Sequence, residues 1–309
     1  MDTETMRTRA QRLADDVLFP AALEVDRADR VPESHFRRLA DGGFYGIATS
    51  LPEMADAMPI VEALASGCLT TTFVWIQHHG PVFAAPAAMK AALEKGEMRG
   101  GIALAGARGG LLNASKVDGG YLLDGTVPWV TGWDLVHVVQ VAALDGGEIA
   151  FFLIDAFASD SLLAEPVRLV AANASRTVTL HFRQHFVPED RFTGTQPYVE
   201  WQRNEAPGSA INGFLALGVA RRCSMLTDGG FESEIEACRA LLLGPDIPEA
   251  RATASELAIR AAQTLIVHIG SRSVLMENHA QRLMREAAFL LVFGTRPLIK
   301  ERLLGKLSR

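Results

Sequence analysis

The hydrophobic period of this chain changes twice, and the order of those periods limits the fold more than any other feature. From Thr5 to about Gly100 apolar residues recur at helical spacing. Leu13, Val17, Leu18, Ala22 and Val25 share one face of the stretch from Arg7 to Arg27, which Pro20 is expected to kink or split. Pro32-Glu33-Ser34 opens a second helix and Gly42-Gly43 ends it. Buried helices are expected from Pro59 to Ala65, with the proline in the opening turn, and from Thr71 to His78. Pro81 and Pro86 then set off a helix from Ala87 to Lys95.

From about Gly101 to Pro188 the period is two. Gly101 to Ala105 reads as a strand, and Asp118-Gly119-Gly120 as a hairpin turn before Tyr121 to Gly125. Val136-Val138-Val139-Val141 and Ile149 to Ile154 are apolar strands separated by Asp145-Gly146-Gly147. Val167-Leu169-Val170 and Thr177 to Phe182 continue the series, which predicts a small β-barrel or sandwich. From Tyr198 the chain reads as helical again, with segments Ala210 to Leu226, Glu232 to Leu243, Pro248 to Ile269 and His279 to Lys306, the last broken near Gly294. Long helices with one apolar face and short joints fit a bundle. No internal repeat interrupts this α, β, α order.

Bulk composition narrows the function classes. The 309 residues are 49% hydrophobic and 21% charged, enough for a large core and two or three subdomains. A net charge of −6 and the lack of any basic run argue against nucleic acid as a partner. Cys68, Cys223 and Cys238 are far apart, without metal-ligand spacing, and read as reduced thiols of a cytoplasmic protein. His78-His79 also lacks ligand spacing and reads as a hydrogen-bonded pair at a helix end, so no metal site is expected. The charged N-terminus shows no signal peptide, and charge, Gly or Pro breaks every apolar stretch short of a membrane span.

Several motifs carry a family resemblance. Val17-Leu18-Phe19-Pro20, Glu24-Val25-Asp26-Arg27, Pro32, and Leu39 to Ile47 form an ordered opening set. Gly120-Tyr121-Leu122-Leu123-Asp124-Gly125 is followed by Trp129-Val130-Thr131-Gly132. Gly213 to Ala220 opens the last helical region, and Ala280 to Ala288 leads to Phe293-Gly294-Thr295. Together with the order of periods, these resemble the acyl-CoA dehydrogenases. The resemblance implies an α+β chain with an N-terminal helical domain (1–100), a central β-barrel domain (101–190) and a C-terminal helical bundle (191–309). It also implies FAD as cofactor and an acyl-CoA or similar substrate. Assembly as a homodimer or homotetramer through the bundle would follow. Trp129 would lie against the flavin ring, the Val130-Thr131 segment would supply hydrogen bonds to it, and Thr295 remains from the family's Glu-Gly-Thr. Without the resemblance, Trp129 would read as a core aromatic and Thr131 as a turn residue.

The sequence departs from that family at the chemistry. Phe293 stands where the family glutamate removes the substrate α-proton, and phenylalanine cannot accept one. Ala105-Gly106-Ala107-Arg108-Gly109-Gly110 replaces a Thr-Glu-Pro and Gly-Ser-Asp region. Between Arg221-Arg222 and Pro248 there is no Arg-x-x-Phe-Gly for the FAD pyrophosphate. Some family members carry the glutamate at the start of the first bundle helix. Counting back from Gly218 reaches Gly208, and Glu205, one turn away, is the candidate base. Its other reading is a first-turn glutamate that favours the helix dipole. Glu286, beside Arg282 and Arg285, reads as an ion-pair partner. His279 precedes Gln281-Arg282-Leu283-Met284-Arg285, which resembles flavin-dependent monooxygenases of the same fold, where no α-proton base is needed. Three functions therefore stay open: an FAD oxidoreductase on the CH–CH bond of an acyl thioester, a flavin monooxygenase using His279, and a catalytically silent subunit pairing with an active homologue.

Overall fold

Proline chemistry shapes the first helices. A computed structural model describes residues 2–51 and 53–308, with the side chains of residues 205–207 also outside the description. Helix α1 (Thr3–Leu13), capped by Asp2, runs into α2 (Phe19–Arg27) through a π-helical turn at Ala14–Leu18. Pro20 has no N–H to donate and its ring would meet the carbonyl four residues back, so the turn widens just ahead of it. Helix α3 (Glu33–Asp41) ends at Gly42, with Gly43 left-handed at φ 77°. A short α4 (Ile47–Ser50) leads to α5 (Met54–Gly67). Pro59 lies inside α5 rather than in its first turn, and the carbonyl of Ala55 that it cannot reach accepts from Arg7 Nη2 at 2.8 Å instead. Helices α6 (Leu69–Ile76), α7 (His79–Ala84) and α8 (Ala87–Lys95) complete the region.

Eight strands follow: β1 (Gly100–Ala103), β2 (Leu112–Val117), β3 (Gly120–Val130), β4 (Val138–Asp145), β5 (Glu148–Asp155), β6 (Leu162–Pro166), β7 (Val178–Pro188) and β8 (Phe192–Pro197). They form one mixed sheet in the order β6-β7-β3-β2-β4-β5-β8, with β1 parallel to β4. The two edge strands do not pair with each other among the described residues, so the expected barrel is an open one, a rolled sheet. The roll is visible in its core. Tyr121 on β3 meets Phe152 on β5 with ring centroids 5.0 Å apart, although β2 and β4 lie between those strands. Flat strands three places apart would be roughly 14 Å from one another. Phe192 of edge strand β8 stacks on Tyr121 at 5.1 Å.

Two details differ from the periodicity. Val167-Leu169-Val170 is not a strand: the Leu169 N–H donates to the Asn173 side chain at 3.0 Å, an alternative to a ladder. The strand here is β6, just before it, paired to Val178–Phe182. β8 was hidden by Gly194 and Pro197, residues that suit an edge strand with a register shift.

The C-terminal helices are α9 (Tyr198–Gly208), α10 (Ala210–Met225), α11 (Glu232–Leu242), α12 (Ile247–Ile269), α13 (His279–Val292) and α14 (Pro297–Leu307). They share one apolar core with the N-terminal helices, running from Ala10, Phe36, Ile60 and Leu64 to Phe214, Leu217, Leu257 and Leu283. Gly218 of α10 sets the closeness of the two groups. A Cβ there would lie 2.6 Å from both the Ala65 Cβ and the Glu62 carbonyl oxygen. Buried Glu62 accepts two bonds of 2.9 Å from Arg239 of α11. No helix among the described residues is long and apolar enough to cross a membrane.

His78 and His79 sit in this interior. His78 Nδ1 accepts from the Gly100 N–H at 2.9 Å and its Nε2 donates to the Leu93 carbonyl at 3.1 Å, which fixes a neutral ring. His79 differs from the hydrogen-bonded pair expected, because neither of its buried nitrogens has a hydrogen-bond partner among the described residues. Burial pushes His78 down to about 4 and His79 down to about 3.

Two outcomes are expected. Gly218→Ala should lose about 1–3 kcal/mol in urea denaturation despite alanine's better helix propensity, since the contacting atoms are mostly backbone. Equal or higher stability would show that α10 and α5 can separate. Between pH 6.5 and about 4 the unfolded histidines bind protons that the folded ones refuse, so stability should fall as pH falls. His79→Met should flatten that dependence by up to about 1.4 kcal/mol per pH unit. An unchanged slope in thermal melts across this range would place the titration elsewhere.

Candidate active site

The site begins at a flaw in a strand. Pro128 has no N–H for the ladder, and the pairing of β3 with β7 shifts register between Val127 and Val130. Within that bulge Trp129 adopts φ 62°, a region that costs a tryptophan of order 1–3 kcal/mol. The consequence is a large ring 66% exposed, turned away from the sheet. Val130 next to it points into the sheet core and is fully buried. Thr131 is buried as well, its Oγ1 3.4 Å from Thr177 Oγ1, which lies 2.8 Å from Ser175 Oγ.

Trp129 and Thr131 border a cavity of about 980 Å³ where the rolled sheet meets both groups of helices. Phe73 and Ile76 of α6 line it, as do Ile102 of β1, Trp201 and Asn204 of α9, Asn212 of α10, and Phe289 of α13. Phe293, Gly294 and Thr295, at the end of α13, line it too. The two sequence motifs, more than 160 residues apart by roughly that count, therefore share one wall system. Three phenylalanine rings make an apolar end: Phe73 lies 4.8 Å from Phe293 and 5.4 Å from Phe289, and these two stack at 5.3 Å. Thr295 Oγ1 donates to the Leu291 carbonyl at 3.1 Å.

Among the described lining residues there is no carboxylate, imidazole or thiol; the charged ones are Arg108 and Arg296. Glu205 falls in α9 between Asn204 and Gly208, both of which line the cavity, but its side chain lies outside the described residues. His279 is not a lining residue. It starts α13, stacks on Phe19 at 4.1 Å, and its Nδ1 faces Arg282 at 3.3–3.4 Å. Burial, then the charges of Arg282 and Arg222, push it down to about 4, so the ring is neutral. Val130 reaches the cavity with no side-chain atom. Glu286 is the ion-pair partner expected, buried with Arg282 at 2.6 Å. Arg285 pairs instead with Asp26 of α2 at 2.5 Å and donates to the Val170 carbonyl at 2.6 Å, which pins a loop of the cavity wall. No group of three or more metal-binding side chains occurs among the described residues.

One residue escaped the sequence reading. Arg251 of α12 lies behind Phe293 with 1% exposure, and its Nη2 donates to the Phe293 carbonyl at 3.0 Å. Its Nε and Nη1 have no hydrogen-bond partner among the described residues. Burial, then the charge of Arg296, pushes its guanidinium down to about 10. Between alanines on a helix it reads as one more solvated arginine.

The same architecture is found in solved structures. Butyryl-CoA dehydrogenase from Megasphaera elsdenii superposes with a TM-score of 0.84 at 18% identity, over 100% of both chains. The chain has the acyl-CoA dehydrogenase fold. A glutaryl-coenzyme A dehydrogenase in complex with glutaryl-CoA gives 0.85 at 17% identity, over 100% of this chain and 97% of that one. A structure described as PigA with FAD and proline gives 0.83 at 18% identity, over 100% and 99%. In sequence, the chain is 26% identical over 238 residues to benzylmalonyl-CoA dehydrogenase of Aromatoleum aromaticum. That match spans 68% of this chain and 63% of the relative, under two thirds of its length. No family model matches the sequence.

Because the Trp129 ring packs little and its backbone is strained, Trp129→Gly should leave the melting temperature of the ligand-free protein unchanged or raise it. A loss of more than about 2 kcal/mol would show that the ring supports the fold rather than the cavity.

Proposed function

We propose that this chain binds FAD and works as an oxidoreductase of acyl-CoA dehydrogenase type, on the CH–CH bond of an acyl thioester or a similar substrate. The observation that carries the reading is Trp129. A strained tryptophan whose ring is left open at a cavity mouth has no packing purpose, and a planar aromatic cofactor gives it one. The residues fit such a group. The ring is a platform, the main chain of Val130-Thr131 runs beside it, and Thr295 stands on the same cavity wall. When bound, FAD supplies a two-electron acceptor. The other groups belong to the chain. Phe73, Phe289 and Phe293 form a wall that excludes water from the reacting carbons. Glu205 is the residue proposed to take the α-proton, since Phe293 cannot. The names of the comparison proteins support a thioester: one is bound to glutaryl-CoA and another is a benzylmalonyl-CoA dehydrogenase. The FAD and proline of a third support the cofactor and a wider substrate range. Assembly as a homodimer or homotetramer belongs to the same proposal.

The lack of a described carboxylate in the cavity favours a second reading, a catalytically silent subunit that completes the site of an active homologue. The monooxygenase reading depends on His279, which the fold places outside the cavity lining.

The purified protein should carry flavin, extractable as FAD in about one-to-one ratio with chain, and Trp129→Gly should lose it. Glu205→Gln should keep the FAD and slow reduction by an acyl-CoA by about a hundredfold or more. A fully active Glu205→Gln protein would remove that residue from the reaction. A chain that stays colourless after incubation with FAD would turn the assignment to the silent subunit.

A further inference from the structure

Three phenylalanines from two helices meet at one end of the cavity, and keeping water out leaves their aromatic character unused. Phe289 and Phe293 lie one helical turn apart at the end of α13, and their rings stack at 5.3 Å with 14° between the planes. Phe73 of α6 stands across both, at 75° to Phe289 and 87° to Phe293. All three line the cavity; Phe73 is buried, while Phe289 and Phe293 are only half-buried. Excluding water takes apolar area alone, and leucine supplies it equally well. Leu290 and Leu291 of the same helix do so in the core.

What a ring adds is its quadrupole, negative on the face and positive at the edge. A stacked pair crossed by a third ring offers an incoming ring both favoured geometries, offset stacking and edge-to-face. A saturated chain meets the same wall by dispersion only. A carboxylate or hydroxyl held against the rings would lose its hydration with nothing in return.

We infer that the three-ring wall is the acyl-group subsite and that it selects thioesters whose acyl chain carries an aromatic ring on or next to the CH–CH bond. The inference rests on the reading just proposed and narrows its substrate class. The place of the ring follows from the place of the wall. Phe293 runs directly into Gly294 and Thr295 on the cavity lining, and that reading sets the wall against the reacting carbons.

The test compares 3-phenylpropionyl-CoA with 3-cyclohexylpropionyl-CoA by isothermal titration of the purified protein. Oxygen is excluded and the flavin is reduced beforehand with dithionite, so binding is read without reaction. The cyclohexyl ring is bulkier and at least as apolar, so burial alone gives it equal or tighter binding. The phenyl thioester should instead bind about two- to tenfold tighter, the range of one aromatic pair. Phe289→Leu and Phe293→Leu should each bring that ratio towards one or below it, with the loss falling on the phenyl thioester. The wild-type ratio needs no variant, so a variant that fails to fold leaves the test standing. Cyclohexyl binding as tight as phenyl, in a protein that binds both, would overturn the inference alone. A ratio untouched by both variants would do the same, as would an equal loss of both thioesters, which would make the wall plain apolar surface. Binding of neither thioester by an FAD-containing protein would overturn the inference and the thioester reading together.

Discussion

Helix α10 lies against α5 only because Gly218 has no side chain, and most of the architecture follows from that approach. The two helices come within backbone contact, so the N-terminal and C-terminal groups bury one shared apolar core rather than two. Polar links then fix the arrangement: Glu62 to Arg239 between α5 and α11, and Asp26 to Arg285 between α2 and α13. With the helices joined this way, the rolled sheet can close only one side of the space between them. The cavity is what remains.

The cavity walls differ in what they offer. The sheet contributes a strained, exposed tryptophan at a bulge, and α13 contributes a phenylalanine cluster and a left-handed glycine. Around Phe19 the cations are handled separately. Arg222 and Arg282 face its ring, with centroid distances of 4.1 and 5.9 Å, while Asp15 and Glu286 neutralise them. His279 is held inside this packed group, where burial and two neighbouring cations keep it uncharged. Arg251 is the exception, a buried cation without such compensation.

Legibility in the sequence followed the range of the interaction. The helix boundaries at Ala87–Lys95 and Glu232–Leu242 were legible because Pro, Gly and apolar spacing act locally. Glu286 was legible as a partner because Arg282 lies four residues before it on the same helix. Val167 to Val170 misled because the competing acceptor was the Asn173 side chain, which hydropathy does not register. Strand β8 stayed hidden because an edge strand tolerates the Gly and Pro that normally argue against one.

The sequence by itself determined the α, β, α order, the proline and glycine breaks, and the two motifs around Trp129 and Gly294. Each depends on backbone conformation or on residues close together in the chain. Only the tertiary structure decided that Trp129 would face the cavity while Val130 faced the core, since a bulge set by pairing with β7 chooses between them. It alone removed His279 from the cavity lining and buried Arg251 behind Gly294. Burial is a property of what packs from other elements, and for an arginine on an alanine-rich helix nothing in the neighbouring residues records it.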